Sequence, residues 1–317
     1  MRGWWQDLTD LVLPAECGGC GRPRAVLCPE CRAALTGAAP SRVRPVPEPV
    51  GLPVVHAAAP YEDEVRAALL AHKERGALPL AVPLGAALAG AVRAGLEQGR
   101  LPGPGGRLMA AEGLLRAGNG QLRTEGRSGV GCGLPGTEAV LLVPVPSSRW
   151  AVRARGHDPA RRIALAAAGE LRRAGTRARV LAVLRQRRAV ADQSGLNSRQ
   201  RLDNLEGALE VAAGGERLLA AGSRIVLVDD LMTTGASLTE AARAVRAAVV
   251  RATPAEMAET AAGPQVDRGI VGRRQLGGVT GTGGAGDMAR TGAGGSGVMI
   301  CAAVVAAPPD SFEINRN

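Results

Sequence analysis

The chain has 317 residues, enough for one large or two modest domains, and 46% of them are hydrophobic, which suffices for a core. Aromatic residues make up only 2%, which disfavours a single-stranded nucleic-acid surface built on stacked rings. The formal net charge of +10 is concentrated in residues 149–201, where fourteen arginines accompany three acidic residues, a difference of +11. This window is either a solvated arginine-rich face or a surface that attracts polyanions, such as a phosphorylated small molecule or a nucleic acid.

The N-terminal stretch contains Asp7 and Asp10 where a signal peptide would need an apolar core. Residues 77–92 are apolar but short, and Pro79, Pro83 and two glycines interrupt them. We interpret them as a loop that enters a buried helix, not as a membrane span. We therefore expect a cytoplasmic protein without membrane insertion, whose six cysteines favour metal binding over disulfides in a reducing compartment.

Four cysteines are clustered in the stretch CGGCGRPRAVLCPEC, as two CxxC pairs separated by seven residues. Each pair can direct two thiolates at one point, and four thiolates in a tetrahedral array suit a structural Zn²⁺ ion. Binding of such an ion is worth on the order of 10 kcal/mol, enough to fold a small module without its own core. The alternative is a redox CxxC pair, which would not need the second pair. The predicted zinc ligands are Cys17, Cys20, Cys28 and Cys31.

In chain order, residues 50–98 contain one predicted strand, PVVHAAAPY, and two predicted helices around EDEVRAALLAHKERG and PLGAALAGAVRAGL. Residues 139–250 alternate between strands and helices. The predicted strands are AVLLVPVP, ARVLAVLRQ and the end of ERLLAAGSRIVLVDD, and the helices are DPARRIALAAAGELRRAG and SLTEAARAVRAAVVRA. The stretch VMICAAVVAAPP predicts one more buried strand. This alternation predicts an α/β fold, with a parallel sheet that has helices on both faces.

Two Gly-rich segments interrupt this pattern, with twelve glycines in residues 99–138 and thirteen in residues 261–300. Such a composition does not bury enough apolar surface to order itself, so we predict disordered inserts at loop sites. The predicted domains are a zinc-finger-like module at 1–40, a helical segment at 50–98, an insert at 99–138, a core formed by 139–252 and 298–308, and a second insert at 253–297.

The stretch RIVLVDDLMTTGASL, residues 224–238, ends a buried strand on two carboxylates, Asp229 and Asp230. In an open α/β sheet, ligands bind beyond the carboxyl ends of the strands, and two adjacent carboxylates suit a ribose diol or a metal-bound water. A loop of small and hydroxyl-bearing residues follows at a helix N-terminus, where free amides suit a phosphate. This loop contains Met232, Thr233, Thr234, Gly235, Ala236 and Ser237. The pattern predicts a ribose 5-phosphate site, and the alternative is that the loop only caps a helix.

The stretch VLVDDLMTTGASL resembles the phosphoribosyl pyrophosphate (PRPP) motif of type I phosphoribosyltransferases. A fuller resemblance, to the ComF family named for DNA-uptake competence, extends over the cysteine cluster, YEDEVRAALLAHKERGALPLA, LLVPVPSSRWAVRARGHDPARRIA and QRRAVADQSGLNSRQRLDNLEGALEV. It implies a type I phosphoribosyltransferase fold after an N-terminal zinc finger, with Mg²⁺ bound together with PRPP. It also implies transfer or release of the phosphoribosyl group with loss of pyrophosphate, with Asp229 and Asp230 as catalytic residues. The sequence does not identify the acceptor.

The resemblance implies further roles outside the PRPP motif. The loop after the first core strand would bind pyrophosphate, through Ser147, Ser148, Arg149, Arg153 and Arg155. The stretch DQSGLNSRQRLDN would be a mobile loop that covers the site, and it would supply Gln193, Ser194, Arg201 and Asn204. The sole lysine of the chain, Lys73, matches a lysine position of the family, although drift explains it equally well. Where the family has an aromatic-Asn-Gln sequence, this chain has His157, Asp158 and Pro159.

Three functions stay open on this basis. The first is a phosphoribosyltransferase or PRPP hydrolase. The second is a non-enzymatic PRPP- or nucleotide-sensing subunit that works in DNA uptake with a helicase partner. The third is a zinc-dependent nucleic-acid binder that uses the arginine-rich window.

Overall fold

The computed structural model describes residues 16–98, 139–188, 190, 195, 197–220, 224–261 and 298–312. Within these ranges the strands are β1 (Ser41–Val43), β2 (Val55–Pro60), β3 (Val140–Pro144), β4 (Ala178–Val180), β5 (Leu184–Gln186), β6 (Leu209–Val211), β7 (Arg224–Leu231) and β8 (Met299–Ala307). The helices are α1 (Pro29–Thr36), α2 (Asp63–Glu74), α3 (Ala81–Gln98), α4 (Arg149–Arg155), α5 (Pro159–Arg173), α6 (Ser198–Leu205), α7 (Gly215–Ala220) and α8 (Ala236–Ala261). Short 3₁₀ turns are formed by Leu78–Leu80 and Pro309–Ser311.

Six strands form one sheet in the order β1-β2-β8-β7-β3-β4. All neighbouring pairs are parallel except β1 and β2, which are antiparallel at one edge. The central strands β7 and β8 consist largely of buried apolar residues, as expected for parallel strands that are covered on both faces. The predicted α/β fold with a mostly parallel sheet between helices is therefore confirmed.

The two faces of the sheet have separate hydrophobic cores, because successive residues of a strand point to opposite sides. One face, with Val226 and Val228 of β7, packs against α2, α3 and α5. The other face, with Ile225 and Leu227, packs against α8 and against the two-stranded hairpin of β5 and β6. As a consequence, the two residues that end β7 face different sets of helices.

The apolar segment that follows α2 forms a 3₁₀ turn and then the buried helix α3, as predicted. In the part of the chain that the structure describes, Leu78–Gln98 is the one stretch long and apolar enough to cross a membrane. An 18-residue window of this stretch has a mean hydropathy of 1.4, and 61% of that window is buried inside the protein. The core helix of a soluble protein meets the same criterion, so this stretch alone does not indicate a membrane protein.

The prediction of one strand over ARVLAVLRQ was wrong. This stretch forms β4 in the main sheet and β5 in the hairpin, where β5 pairs with β6. A short apolar run fits one long strand or two short ones equally well, and the partner strand β6 lies beyond α6 in the sequence. The helix α8 also continues to Ala261, past the predicted core boundary at residue 252.

Other predictions about domain organisation lie outside what the structure decides. The strand β2, from the predicted helical segment at 50–98, pairs with β8 within the main sheet. The insert predicted at 99–138, and the second insert beyond Ala261, fall outside the described residues. The domain boundaries therefore stay predictions.

Close contact between α3 and α5 depends on Gly85, because a Cβ atom there would lie 2.4 Å from Ala166 Cβ and 2.9 Å from the Ala167 nitrogen. Gly85→Ala should therefore lower the free energy of unfolding by about 1–3 kcal/mol, despite the better helix propensity of alanine. The matched control is Gly169→Ala in α5, where a Cβ atom meets only Arg173 Nη1, at 3.7 Å. This control should raise the free energy of unfolding by up to about 1 kcal/mol. Urea unfolding measures both, and equal effects would contradict the close packing.

Candidate functional site

Two acidic residues lie at the end of the central strand β7, where only Leu231 follows them within the strand. Asp230 is 6% exposed and Asp229 is half-buried. By the alternation of the strand, Asp230 lies on the side of α2, α3 and α5, and Asp229 lies on the side of α8. The backbone amide of Asp230 donates a hydrogen bond to Asp229 Oδ1 at 2.8 Å. Two carboxyl groups thus lie at the carboxyl edge of the sheet, where α/β proteins bind ligands.

Lys73 of α2 places a positive charge beside this acidic pair. Its Nζ atom lies 3.0 Å from Asp230 Oδ2 and 3.4 Å from Asp230 Oδ1. Attraction to the Asp230 carboxylate raises the pKa of Lys73. Desolvation raises the pKa of Asp229 well above the usual range of an aspartate, and repulsion from Asp230 adds to this increase, while Lys73 opposes it. The strand end can therefore accept hydrogen bonds from hydroxyl groups or bind a cation.

The loop that follows β7 brings hydroxyl groups and backbone amides to the same edge. Gly235 adopts the left-handed conformation, with φ of 75°, and turns the chain into α8. A Cβ atom at this position would also lie 3.0 Å from Leu52 Cδ1. The first amides of a helix have no intrahelical acceptor, and the helix N-terminus carries a partial positive charge. Thr234 and Ser237 are half-buried beside these amides, so the loop is suited to bind an anion.

The helix α6 lies against this loop. Arg201 Nη1 donates to Thr233 Oγ1 at 3.4 Å, and Leu205 and Ala208 form a small apolar cluster with Ala236. In the described part of the chain, Arg201 Nε is buried and has no hydrogen-bond partner. The structure therefore brings a guanidinium group with an unused donor to the N-terminus of α8. Of the other residues predicted for the covering loop, Asn204 lies in α6, while Gln193 and Ser194 fall outside the described residues.

An ion pair on α8, between the exposed Arg243 and the buried Glu240, binds the chain just after α6. Glu240 Oε1 accepts a hydrogen bond from the Leu209 amide at 2.9 Å, and Arg243 Nη2 donates to the Leu209 carbonyl at 3.0 Å. Arg243 also donates to both carboxylate oxygens of Glu240, at 2.7 and 2.8 Å. Leu209 begins β6, the strand to which the chain returns after α6. The chain that follows α6 is thus fixed to α8, the helix against whose N-terminal turn α6 lies.

The residues predicted to bind pyrophosphate lie between β3 and α4 and within α4; they are Ser147, Ser148, Arg149, Arg153 and Arg155. Ser148 caps α4, because its Oγ atom accepts a hydrogen bond from the Ala151 amide at 3.1 Å. Arg155 Nε lies 3.4 Å from Glu74 Oε2, next to Lys73 in α2. Among the described residues, Arg155 Nη1 is buried without a hydrogen-bond partner. Arg155 is therefore brought to the helix that carries Lys73, whereas Ser148 has a structural role.

Sequence reasoning missed three residues around Lys73, namely His72, Glu74 and His157. They contact one another or Arg155 across the junction between α2 and the end of α4. No motif spacing connects residues 72–74 with residues 155–157. The one feature of the sequence that pointed to this junction was the departure from the family pattern at His157.

The four cysteines form a compact cluster near the N-terminus. Their sulfur atoms all lie within 4.8 Å of one another, and Cys20 Sγ lies 3.6 Å from Cys28 Sγ. A tetrahedral zinc ion with bonds of about 2.3 Å needs about 3.8 Å between its sulfur ligands. The cluster therefore fits a metal such as zinc. Four protein ligands complete a tetrahedron, which is typical of a structural site.

Backbone amides help to prepare this cluster for a metal. Burial by itself would raise the pKa of Cys17, but hydrogen bonds from the backbone of Cys28, Cys20 and Gly19 lower it to about 6. The Cys28 amide lies 3.2 Å from Cys17 Sγ. The thiolate that this arrangement favours is the form that binds metals. The cysteines also belong to the same hydrophobic core as α2 and α3, so the cluster is packed against the sheet domain.

No protein-family model matches this chain, and no curated protein matches it. The assignment of a function therefore rests on the geometry of the two sites and on the motifs of the sequence.

Metal analysis of the purified protein should find about one zinc ion per chain. Cys31→Ser should lower the zinc content several-fold and lower the melting temperature, because structural zinc binding contributes on the order of 10 kcal/mol to folding. The control is Cys301→Ala, since this buried thiol lies in β8 outside the cluster and its loss should leave the zinc content unchanged. Full zinc content in Cys31→Ser would contradict the tetrahedral site.

The raised pKa of Asp229 predicts a pH-dependent cost in stability. An acid with a higher pKa in the folded state destabilises the fold once the pH exceeds its unfolded pKa of about 4, and it costs nothing below that pH. Asp229→Asn should therefore raise the melting temperature near pH 7 and leave it unchanged below about pH 4. Asp203→Asn, on the exposed surface of α6, should change neither value. Thermal unfolding at both pH values measures this, and a lower melting temperature of Asp229→Asn at pH 7 would contradict the prediction.

Proposed function

We propose that this protein binds PRPP together with Mg²⁺ at the carboxyl edge of β7, as a type I phosphoribosyltransferase-like protein of the ComF family. The observation that carries the proposal is the order of groups along residues 229–237. Two carboxyl groups end the strand, and a turn of hydroxyls and free amides then begins a helix. This order matches the order of groups in a ribose 5-phosphate, in which a diol and a phosphate lie at opposite ends of one sugar ring.

Each part of PRPP has complementary groups at this edge. Asp229 and Asp230 accept hydrogen bonds from the ribose hydroxyls. The N-terminal amides of α8, with the hydroxyl of Thr234, bind the 5-phosphate. The buried guanidinium donors of Arg155 and Arg201, which have no hydrogen-bond partner within the described residues, are available to the phosphate oxygens.

The reaction that fits these groups is a displacement at the anomeric carbon of the ribose. As the bond to pyrophosphate breaks, positive charge develops on the sugar ring, and the carboxylates at the end of β7 stabilise that charge. Arginine side chains stabilise the negative charge on the departing pyrophosphate. Mg²⁺ would neutralise part of the pyrophosphate charge. The segment that contains α6 would lie over the site and exclude water. It would thereby favour transfer of the phosphoribosyl group to an acceptor over its hydrolysis.

A second candidate function follows from the exposed arginines. Most of the arginines between residues 149 and 201 that the structure describes are exposed, so they are accessible to a polyanion. This observation favours a non-enzymatic protein that senses PRPP or a nucleotide, or that handles single-stranded DNA with a helicase partner during DNA uptake. Both candidates place the protein in the cytoplasm.

Titration calorimetry with PRPP and Mg²⁺ tests the first candidate. The wild-type protein should bind, and Asp230→Asn should weaken binding at least about tenfold, because a hydrogen bond to a charged group is worth about 1.5–3 kcal/mol. The matched control is Glu97→Gln, an exposed position of α3 at the amino edge of the sheet, which should bind like the wild type.

Turnover then distinguishes an enzyme from a sensor. Release of pyrophosphate, measured with a panel of nucleobases as acceptors, should be present in the wild type and absent in Asp229→Ala. Binding of PRPP without release of pyrophosphate would favour the sensor. No heat with PRPP, together with salt-dependent binding of single-stranded DNA, would contradict the first candidate.

A further inference from the structure

In the last three residues of α2, the two neighbours of Lys73 both contact residues outside the helix. On the N-terminal side of Lys73, the His72 carbonyl lies 3.2 Å from His157 Nε2. On the C-terminal side of Lys73, Glu74 Oε2 lies 3.4 Å from Arg155 Nε. Lys73, which contacts Asp230, therefore lies between two residues that are bound by the last residue of α4 and by the connection from α4 to α5. We call this set of contacts the α2 clamp.

His157 supplies a hydrogen bond that α2 itself does not make. The carbonyls in the last turn of a helix have no intrahelical donor, and His72 lies in that turn. Both ring nitrogens of His157 face carbonyl groups, Nε2 that of His72 and Nδ1 that of Arg155, each at 3.2 Å. Since a carbonyl only accepts, the ring binds the His72 carbonyl in the forms in which Nε2 carries a proton. His157 is 9% exposed, so the hydrogen bond is shielded from water. Loss of the donor would leave the His72 carbonyl with no described partner at a buried junction.

The side chain of His72 fills the same junction. It is 1% exposed, its Nδ1 lies 3.3 Å from the Ala77 carbonyl, and the His72 and His157 rings are 5.6 Å apart in an edge-to-face arrangement. Burial lowers the pKa of His72, which favours the neutral ring that donates through Nδ1. The two imidazole rings thus pack against each other between α2 and the α4–α5 connection.

The α4–α5 connection is fixed in place, so it can hold α2. Gly156 ends α4 in the left-handed conformation, with φ of 76°, and this turn directs the residues on either side of it towards α2. Immediately afterwards, Asp158 caps α5, because its Oδ1 atom accepts a hydrogen bond from the Arg161 amide at 3.2 Å. His157 is therefore held between a helix end and a helix start.

We propose that His157 is a positioning residue: by binding the His72 carbonyl, it holds the turn of α2 that places the Lys73 ammonium against Asp230. This role concerns a position at which the chain departs from the family pattern. The placement of Lys73 stands on the contacts alone. The effect on ligand binding rests on the proposed PRPP site.

The composition of the chain makes a direct test possible, because Lys73 is its sole lysine. Reductive methylation with ¹³C-formaldehyde labels only Lys73 and the N-terminal amine, which titrate about two pH units apart and so are told apart by NMR. Dimethyl-lysine keeps its positive charge and one N–H donor. In the wild type, the Lys73 signal should titrate above the pH of a free lysine. In Asp230→Asn, which removes the largest interaction that raises the pKa of Lys73, the signal should titrate at a lower pH than in the wild type.

The decisive comparison is between His157→Phe, which keeps an aromatic ring but no donor, and His157→Gln, whose amide nitrogen reaches about as far as Nε2. His157→Phe should shift the Lys73 signal towards that of Asp230→Asn, and His157→Gln should leave it near the wild-type position. A loss of ring packing alone would affect His157→Gln at least as much as His157→Phe. A folded His157→Phe with the wild-type signal and titration would overturn the proposal. If His157→Phe does not fold, His157→Asn replaces it, because the shorter amide of asparagine does not reach the His72 carbonyl. The same shift of the Lys73 signal is then expected for His157→Asn.

Calorimetry with PRPP and Mg²⁺ adds the functional readout. His157→Phe should weaken binding about fivefold, which corresponds to about 1 kcal/mol, and His157→Gln should stay within about twofold of the wild type. If the wild type itself does not bind PRPP, the proposed function fails, while the NMR comparison still decides the role of His157. Equal loss of binding in both variants would overturn the positioning role.

Discussion

Two carboxyl groups at the end of a strand that is buried on both faces are the constraint around which this protein is organised. Ionised carboxylates in such a place repel each other and lose hydration, so a fold that keeps them must supply positive charge or hydrogen-bond donors nearby. Lys73 does so at 3.0 Å from Asp230. The raised pKa of Asp229 shows that its ionised form is poorly stabilised, so hydroxyl donors or a cation at the edge of the sheet would stabilise it. That is the physical reason to propose a ligand site here.

The groups around the acidic pair come from separate parts of the chain, and each is held by its own local device. The α2 clamp holds Lys73, a left-handed glycine turns the chain into α8, and α6 packs on the start of α8. The cysteine cluster belongs to the same core as α2 and α3. A metal ion bound there would therefore stabilise the side of the sheet from which Lys73 reaches the site.

The local features of this protein can be predicted from its sequence, whereas its long-range contacts cannot. The acidic strand end, its turn glycine and the start of the following helix lie within fifteen consecutive residues, and the spacing of the cysteines directly predicts a metal cluster. The contact between Lys73 and Asp230 joins residues that are 157 positions apart, and the contact between His72 and His157 spans 85 positions, so no local pattern predicts them. The division of ARVLAVLRQ between two sheets was concealed for the same reason, because it depends on β6.

The anchoring of Leu209 by Glu240 and Arg243 has a consequence for how such a protein can change. The segment between β5 and β6 starts and ends at fixed points of the framework, since the hairpin and α8 hold its two ends together. Substitutions in this segment therefore leave its two ends in place and act on the start of α8 through the contacts of Arg201, Leu205 and Ala208. The main sheet and the β5–β6 hairpin are thus held together independently of this segment, whereas the surroundings of the first turn of α8 depend on it.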